Sequence, residues 1–290
     1  MQVLFRLDEL KRALIVKRPS AVCKSPYVAD GFIVGDDNET RVCDSGDAEQ
    51  LHCPSLGCCG LSNKDSLVYV SHMPIKNKNK PLVCKHRVEL SIIKTNSEGG
   101  ELICGINPKL AERIVDNCIS MNCLKQLNNV REYRREVKHL KSRFDFSGID
   151  SDGNTFYLEV KNVPLADFVD CSKADRKMVD TSHFSFNDKI AYFPDGYRKK
   201  PTDVISPRAL KHIEELQYIV ENEKNTRGIM CYVIQRTDVS SFQPSNLDKI
   251  YQDSVRRAMV AGVEIIVIVC EWKRDGSCVF IRDDLPINIF

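Results

Sequence analysis

Residues 142–161 read SRFDFSGIDSDGNTFYLEVK, and this stretch decides the interpretation of the rest of the chain. Two runs rich in aromatic and β-branched residues flank Asp152-Gly153, a turn signal typical of a β-hairpin. Side chains alternate between the two faces of a strand. If the apolar residues turn into the core, Asp145, Glu159 and Lys161 are therefore expected to converge on the other face.

This convergence suits the hydrolysis of phosphodiesters with a bound divalent metal. Two neighbouring carboxylates repel each other, and a hard cation such as Mg²⁺ or Mn²⁺ removes that cost by binding both. We predict Asp145 and Glu159 as metal ligands and Lys161 as the residue that positions the nucleophile and offsets charge on the phosphate. Glu136, just upstream, is expected to belong to the catalytic site, either through an additional metal contact or by supporting the metal ligands from behind. The alternative is an ordinary solvated hairpin face, because the D-x(n)-E-x-K pattern is degenerate.

Outward from the hairpin, the C-terminal part has the pattern of an α/β fold. Asn107 and Pro108 predict the start of one helix, and Ser206-Pro207 the start of another. Apolar runs at 228–235 and 263–270 flank a helical segment at 247–260, which indicates two parallel strands joined by a crossover helix. We therefore predict an α/β domain with a mixed sheet over residues 101–290.

The N-terminal part has a different pattern. Short apolar or β-branched runs at 14–17, 31–34, 67–70 and 87–93 are separated by turn-forming stretches. Many short strands at this spacing predict a small β-barrel of the oligonucleotide-binding (OB) type over residues 1–100, although the period alone does not separate it from another β fold.

Composition sets further bounds. The 290 residues are 42% hydrophobic, which is enough for a sizeable core. The net charge is only +2, so the composition alone does not indicate a nucleic-acid-binding protein. The start lacks a secretory signal pattern and no apolar run could span a bilayer, so we expect an intracellular protein, cytoplasmic or nuclear, that is neither secreted nor bound to membrane. The 13 cysteines are then expected as reduced thiols. A zinc site at His52-Cys53 with Cys58-Cys59 is the weaker alternative.

Basic residues are placed where phosphates could be bound. A group at 131–143, which includes Arg143, surrounds the candidate acids. On the helix that begins near Ser206, a common face is predicted for Arg208, Lys211 and His212, because they lie at positions i, i+3 and i+4. We predict that these residues contact phosphates; the alternative is a solvated helix face.

Asp145 together with Glu159-Val160-Lys161 resembles the signature of the PD-(D/E)XK nuclease superfamily. More narrowly, the chain resembles the sugar fermentation stimulation protein family of DNA-binding nucleases. The likeness rests on segments that keep the family's order, at 52–57, 136–138, 142–146, 159–166, 192–195, 208–216 and 238–264. The chain departs from the family pattern at Ser55-Leu56, at Ala209 and in the segment 167–190, which looks like an insertion.

The resemblance implies an OB-type barrel that binds nucleic acid, followed by a restriction-endonuclease-like domain. It implies a metal-dependent DNA endonuclease that uses Mg²⁺ or Mn²⁺ through Asp145, Glu159 and Lys161, and it adds His52 of the His-Cys-Pro box to the residues expected at DNA. The alternative is a DNA-binding regulator that keeps the nuclease fold without cutting. The strand form of the DNA and the oligomeric state, including a homodimer, stay open.

Overall fold

The structure is a computed structural model that describes residues 2–35, 48–55, 60–74, 83–95, 100–194, 196, 198, 200 and 202–289. The chain divides into two compact units. The first contains the residues up to Leu4, Ala111–Cys270 and the residues from Phe280 onward. The second, the barrel unit, contains Phe5–Leu110 and Glu271–Val279.

The barrel unit is built on a six-stranded, mainly antiparallel sheet that closes on itself through a parallel pairing. Its strands are β2 (Lys11–Lys17), β3 (Val28–Val34), β4 (Glu49–His52), β5 (Leu67–His72), β6 (His86–Lys94) and β7 (Glu101–Gly105). The sheet order is β4-β3-β2-β5-β6-β7, and a further pairing between β4 and β6 closes the first five of these strands into a barrel. Alternating apolar residues such as Ile15, Leu51 and Val88 fill its core. The predicted small N-terminal barrel is confirmed.

The sequence analysis placed the boundary between the domains at residue 100. Strand β7 lies beyond that point but pairs with β6 along its whole length. The two compact units meet in sequence between Leu110 and Ala111.

The first unit is mixed α/β. In chain order the elements that lie in it wholly or in part are β1 (Gln2–Arg6), α1 (Pro108–Ser120), β8 (Glu132–His139), β9 (Ser142–Ile149), β10 (Thr155–Asn162), β11 (Ala166–Asp167), α2 (Lys173–Arg176), β12 (Lys189–Phe193), α3 (Pro207–Asn222), β13 (Thr226–Ile234), β14 (Val239–Pro244), α4 (Lys249–Ala261), β15 (Glu264–Trp272) and β16 (Ser277–Arg282). Seven strands form a sheet of order β1-β16-β15-β13-β10-β9-β8, in which β13 pairs in parallel with both β10 and β15. The predicted mixed α/β fold is therefore confirmed.

Local signals explain where the helices begin. The Asn107 side chain accepts a hydrogen bond from the Lys109 amide at 3.1 Å at the start of α1. Ser206 and Asp248 accept equivalent bonds at the starts of α3 and α4. Gly262 ends α4 in the left-handed conformation, φ 109°, which glycine adopts at little cost.

The core of the first unit lies between the seven-stranded sheet and helices α3 and α4. Ile213 and Leu216 of α3 and Val255 of α4 are fully buried against strand residues such as Tyr232 and Val267. This packing holds α3 against β13, and β13 pairs in parallel with β10, the strand that carries Glu159 and Lys161.

A second sheet of three strands, β11-β12-β14, is absent from the sequence prediction. Its strands are two to six residues long, too short to show a period. The predicted insertion at 167–190 extends from the end of β11 through α2 into β12.

None of the cysteines in the described part of the chain forms a disulfide. Cys58 and Cys59 lie outside the described residues, so the zinc alternative is not described by the structure. Among the helices in the described ranges, none is both long and apolar enough to cross a bilayer.

Candidate metal centre

The candidate site is built on the hairpin of β9 and β10. The two strands are antiparallel, with Tyr157 opposite Ser147 and Leu158 opposite Phe146. The turn that joins them is held by Asp150, whose side chain accepts hydrogen bonds from the amides of Asp152 and Asn154. The predicted hairpin and its turn are confirmed.

Around Asp145, the side chains of β9 do not alternate regularly between the two faces of the sheet. Phe144 and Phe146 are both fully buried, but Phe144 belongs to the core cluster around α3, whereas the Phe146 ring lies beside Tyr133 and Arg135. Tyr133 and Arg135 in turn contact Asp116 of α1. The Phe144 ring thus lies beside α3, and the Phe146 ring lies beside side chains that contact α1. The expected regular strand is corrected here to one with a local irregularity.

This irregularity explains where Asp145 points. On the neighbouring strand Glu136 has a φ of 57°, and the ladder skips the pair it would form with Asp145. The Asp145 carboxylate accepts a hydrogen bond from the Val160 amide at 2.8 Å. Burial and the negative charge of Glu159 raise the pKa of Asp145 to about 7, although the bond from Val160 opposes this shift. Asp145 therefore lies between the strands and close to Glu159.

Three carboxylates gather at the β8 edge of the sheet. Glu112 of α1, Glu136 of β8 and Asp145 of β9 each place one oxygen within 4.8 Å of the others. Glu112 was missed by the sequence analysis, and it comes together with the other two only when α1 packs beside β8. We call Glu112, Glu136 and Asp145 the acidic cluster.

Glu159 and Lys161 form a buried pair on β10. The Lys161 Nζ lies 2.5 Å from Glu159 Oε1, and the two side chains are 10% and 3% exposed. His212 of α3 completes the group, because its Nδ1 contacts the same Glu159 oxygen and lies 3.2 Å from Lys161 Nζ. Burial acts to raise the pKa of Glu159, but His212 and Lys161 outweigh it and hold the pKa below its usual value.

The residues present suit a divalent cation. The second Glu159 oxygen, Oε2, is buried and has no hydrogen-bond partner among the described residues. A buried carboxylate oxygen without a donor is costly unless something positive binds it. Together with the acidic cluster, it offers the oxygen ligands that Mg²⁺, Mn²⁺ and Ca²⁺ prefer.

The predicted phosphate-contacting residues are placed differently from one another. Arg143 is 60% exposed and pairs with Glu136 at 2.8 Å, beside the acidic cluster. Arg208 is exposed near the start of α3, and Lys211 is partly exposed, with its amine bonded to the Lys141 carbonyl. His212 is buried, 3% exposed, against Glu159 and Lys161. Its expected place on an open helix face is therefore corrected.

His52 belongs to strand β4 of the barrel unit. Its ring is partly exposed, while its Nδ1 is buried without a hydrogen-bond partner in the described part of the chain. Burial and the positive charge of Arg87 lower the pKa of His52, so the ring is neutral at physiological pH. Contact with DNA stays a prediction for this residue.

Fold and site together define a class: a mixed α/β protein with a closed N-terminal barrel and a carboxylate cluster beside a buried Glu–Lys pair. The profile of the sugar fermentation stimulation protein RE domain matches residues 109–276, which include every member of this site. The chain belongs to the sugar fermentation stimulation protein family, and the resemblance seen in the sequence is confirmed.

Individual relatives agree with this assignment. A sugar fermentation stimulation protein homolog of Sinorhizobium medicae is 31% identical over 222 residues, which cover 76% of this chain and 77% of the relative. A homolog of Rhizobium meliloti is 32% identical over 221 residues, covering 75% and 76%. The solved structure of Pyrococcus furiosus SfsA in complex with Ca²⁺ superposes with a TM-score of 0.71 over the whole of both chains, at 17% identity. This structural likeness shows that the fold is shared.

Proposed function

We propose that this protein is a DNA endonuclease of the PD-(D/E)XK type that hydrolyses phosphodiester bonds with a divalent metal. One observation carries the proposal: the acidic cluster lies beside a buried Glu159–Lys161 pair whose second carboxylate oxygen lacks a hydrogen-bond partner in the described residues. A protein that only grips DNA gains nothing from carboxylates gathered next to phosphates, because like charges repel.

The cation, Mg²⁺ or Mn²⁺ in this proposal, would be held by Asp145 and Glu159 with Glu112 and Glu136. When bound, it would polarise the phosphodiester and acidify a water molecule. The Pyrococcus protein was solved in complex with Ca²⁺, another hard cation that takes oxygen ligands, which supports the choice of a hard cation for this proposal.

Other residues of the site are proposed to stabilise charge on the reacting phosphate and to bind the neighbouring phosphates. Glu159 and His212 fix the Lys161 ammonium, so that it presents a positioned positive charge to the reacting phosphate. Arg143 and Arg208 are exposed and can bind neighbouring phosphates through bidentate hydrogen bonds. Lys211 can add a charge once it leaves the Lys141 carbonyl.

The barrel unit is proposed as a nucleic-acid-binding module, since barrels of this type bind oligonucleotides. The alternative function, a DNA-binding regulator that does not cut, uses the same surfaces. The raised pKa of Asp145 is caused by burial and by the charge of Glu159 in the absence of a cation, and it is compatible with either function.

The test is incubation of plasmid and single-stranded DNA with purified protein in Mg²⁺, Mn²⁺ or chelator. We expect metal-dependent cleavage that disappears in Asp145→Ala, Glu159→Ala and Lys161→Ala, while DNA binding survives. Binding without cleavage under every metal would establish the regulator instead. Cleavage unaffected by the triple substitution would refute the site.

A further inference from the structure

Arg143 occupies a special position among the basic residues near the site. Its Nε lies 2.8 Å from Glu136 Oε2, and Glu136 is a member of the acidic cluster. Within the described residues, Glu136 is the only carboxylate ion-paired with Arg143. In the metal-free protein this guanidinium therefore serves as an internal counter-ion for one of the carboxylates that would hold a cation.

The Arg143–Glu136 ion pair is exposed to solvent and therefore weak. The side chains of Arg143 and Glu136 are 60% and 42% exposed, and exposed ion pairs contribute little because water competes with both partners. A divalent cation shared among three carboxylates interacts with Glu136 far more strongly than a hydrated guanidinium does. Cation binding and the Arg143–Glu136 ion pair thus compete for the same carboxylate.

Arg135, on the neighbouring strand β8, differs from Arg143 because it has partners both inside and outside the acidic cluster. It also reaches the acidic cluster, with Nη2 3.4 Å from Glu112. A second acid outside the cluster, Asp116, lies 3.2 Å from its Nη1, and its guanidinium sits over the Phe146 ring. Arg135 therefore keeps partners when Glu112 turns to a cation, whereas Arg143 does not.

We propose that cation binding releases Arg143 from Glu136 and makes it available to a DNA phosphate, so that the metal and DNA bind cooperatively. This inference rests on the proposed metal site and adds a coupling between its cation and its substrate. The released guanidinium lies beside the cation, where the phosphate must come for hydrolysis, and it offers the bidentate donors that phosphate accepts. By thermodynamic linkage, DNA must raise the affinity for the cation by the same factor.

The experiment compares binding of a short fluorescein-labelled duplex in CaCl₂ and in EDTA by fluorescence anisotropy. For the wild-type protein we expect Ca²⁺ to raise the affinity for the duplex by about tenfold. Arg143→Gln should bind the duplex as the wild type does in EDTA and lose most of the Ca²⁺-dependent gain. Calorimetric titration with Ca²⁺ alone should show tighter binding by Arg143→Gln, because the competing internal cation is gone.

Arg134→Gln is the matched control. Arg134 is also an exposed arginine at the β8 edge, but it forms no ion pair with the described residues. Its substitution should weaken duplex binding by the same factor with Ca²⁺ and with EDTA. Arg143→Lys, which keeps the charge, should retain part of the gain, and thermal unfolding of each variant confirms that it is folded.

Three results would overturn the coupling. If the wild type binds Ca²⁺ but binds DNA equally well without it, the coupling fails while the metal site stands. If Arg143→Gln loses affinity equally with Ca²⁺ and with EDTA, Arg143 is an ordinary phosphate contact. If the wild type binds no Ca²⁺ at all, the proposed metal site fails, and the coupling fails with it.

Discussion

At the scale of single residues, the most consequential property of the site is the raised pKa of Asp145. Its folded-state pKa of about 7 lies above the usual value of 3.8, so the folded protein binds an extra proton between these pH values. The stability contributed by this group is greatest at low pH and falls as the pH rises from about 4 to about 7. Above pH 7 the metal-free protein holds an ionised, largely buried carboxylate at a cost.

Asp145→Asn should therefore stabilise the metal-free protein at pH 8 while it removes cation binding. We expect a gain of about 2 kcal/mol in the free energy of unfolding at pH 8 and little change at pH 4. Urea denaturation in EDTA at the two pH values measures this difference. Added Ca²⁺ should stabilise the wild type and leave the variant unchanged; equal stabilisation of both would show that Asp145 is not a ligand.

Lys161 and Glu159 form a buried pair in which each charge needs the other. Lys161→Met leaves the buried Glu159 carboxylate without its ammonium partner, although His212 still contacts it, and the substitution should destabilise the protein by about 3 kcal/mol as well as abolish cleavage. The double variant Glu159→Gln with Lys161→Met removes both charges.

Comparison of these two variants by urea denaturation separates stability from chemistry. The double variant should recover most of the lost stability and remain inactive. A double variant no more stable than Lys161→Met would show that the pair does not stabilise the fold as described.

At the scale of elements, the site depends on the close packing of β8 against β9. Gly148 of β9 faces Tyr133 of β8, and a Cβ at Gly148 would lie 2.8 Å from the Tyr133 Cα and closer still to the Glu132 carbonyl oxygen. Both are backbone atoms, which cannot move away without separating the strands. Glycine at this position is therefore what lets β8 bring Glu136 to Asp145.

Gly148→Ala should destabilise the protein by about 3 kcal/mol and weaken cation binding, because β8 must shift. Ser147→Ala, one residue earlier, is the control and should change stability by less than about 0.5 kcal/mol. Thermal unfolding and calorimetric titration with Mn²⁺ measure the two effects. An unchanged melting temperature for Gly148→Ala would contradict the packing.

The same elements show what the sequence could and could not reveal. Turn chemistry and helix caps are local, so the β9–β10 hairpin and the starts of α1 and α3 could be predicted. The irregularity at Glu136 and Asp145 places Phe144 and Phe146 in different tertiary surroundings, and the alternation rule contains no signal for it. Glu112 is one acid among several on α1, and only the tertiary contact between α1 and β8 distinguishes it.

His212 also shows a limit of prediction from the sequence. Its spacing from Arg208 and Lys211 placed it correctly on α3, but helical spacing cannot show which part of a face is covered. The sheet covers His212 and leaves Arg208 exposed, so neighbouring members of one predicted surface differ in their surroundings.

At the scale of the whole molecule, a closed barrel unit and a mixed α/β unit occur in one chain of the sugar fermentation stimulation protein family. All the proposed metal ligands and Lys161 lie in the α/β unit, so we propose that this unit carries the chemistry. The barrel unit is proposed to bind nucleic acid. The metal centre is therefore the central proposal.

The most direct test is the binding of Mn²⁺ to the metal-free protein, followed by the loss of the free-ion signal in electron paramagnetic resonance. We expect saturable binding by the wild type, binding at least about tenfold weaker by Glu112→Gln, and no binding by Asp145→Asn. Binding of Mn²⁺ with the same affinity by the wild type and both variants would contradict the proposed metal centre.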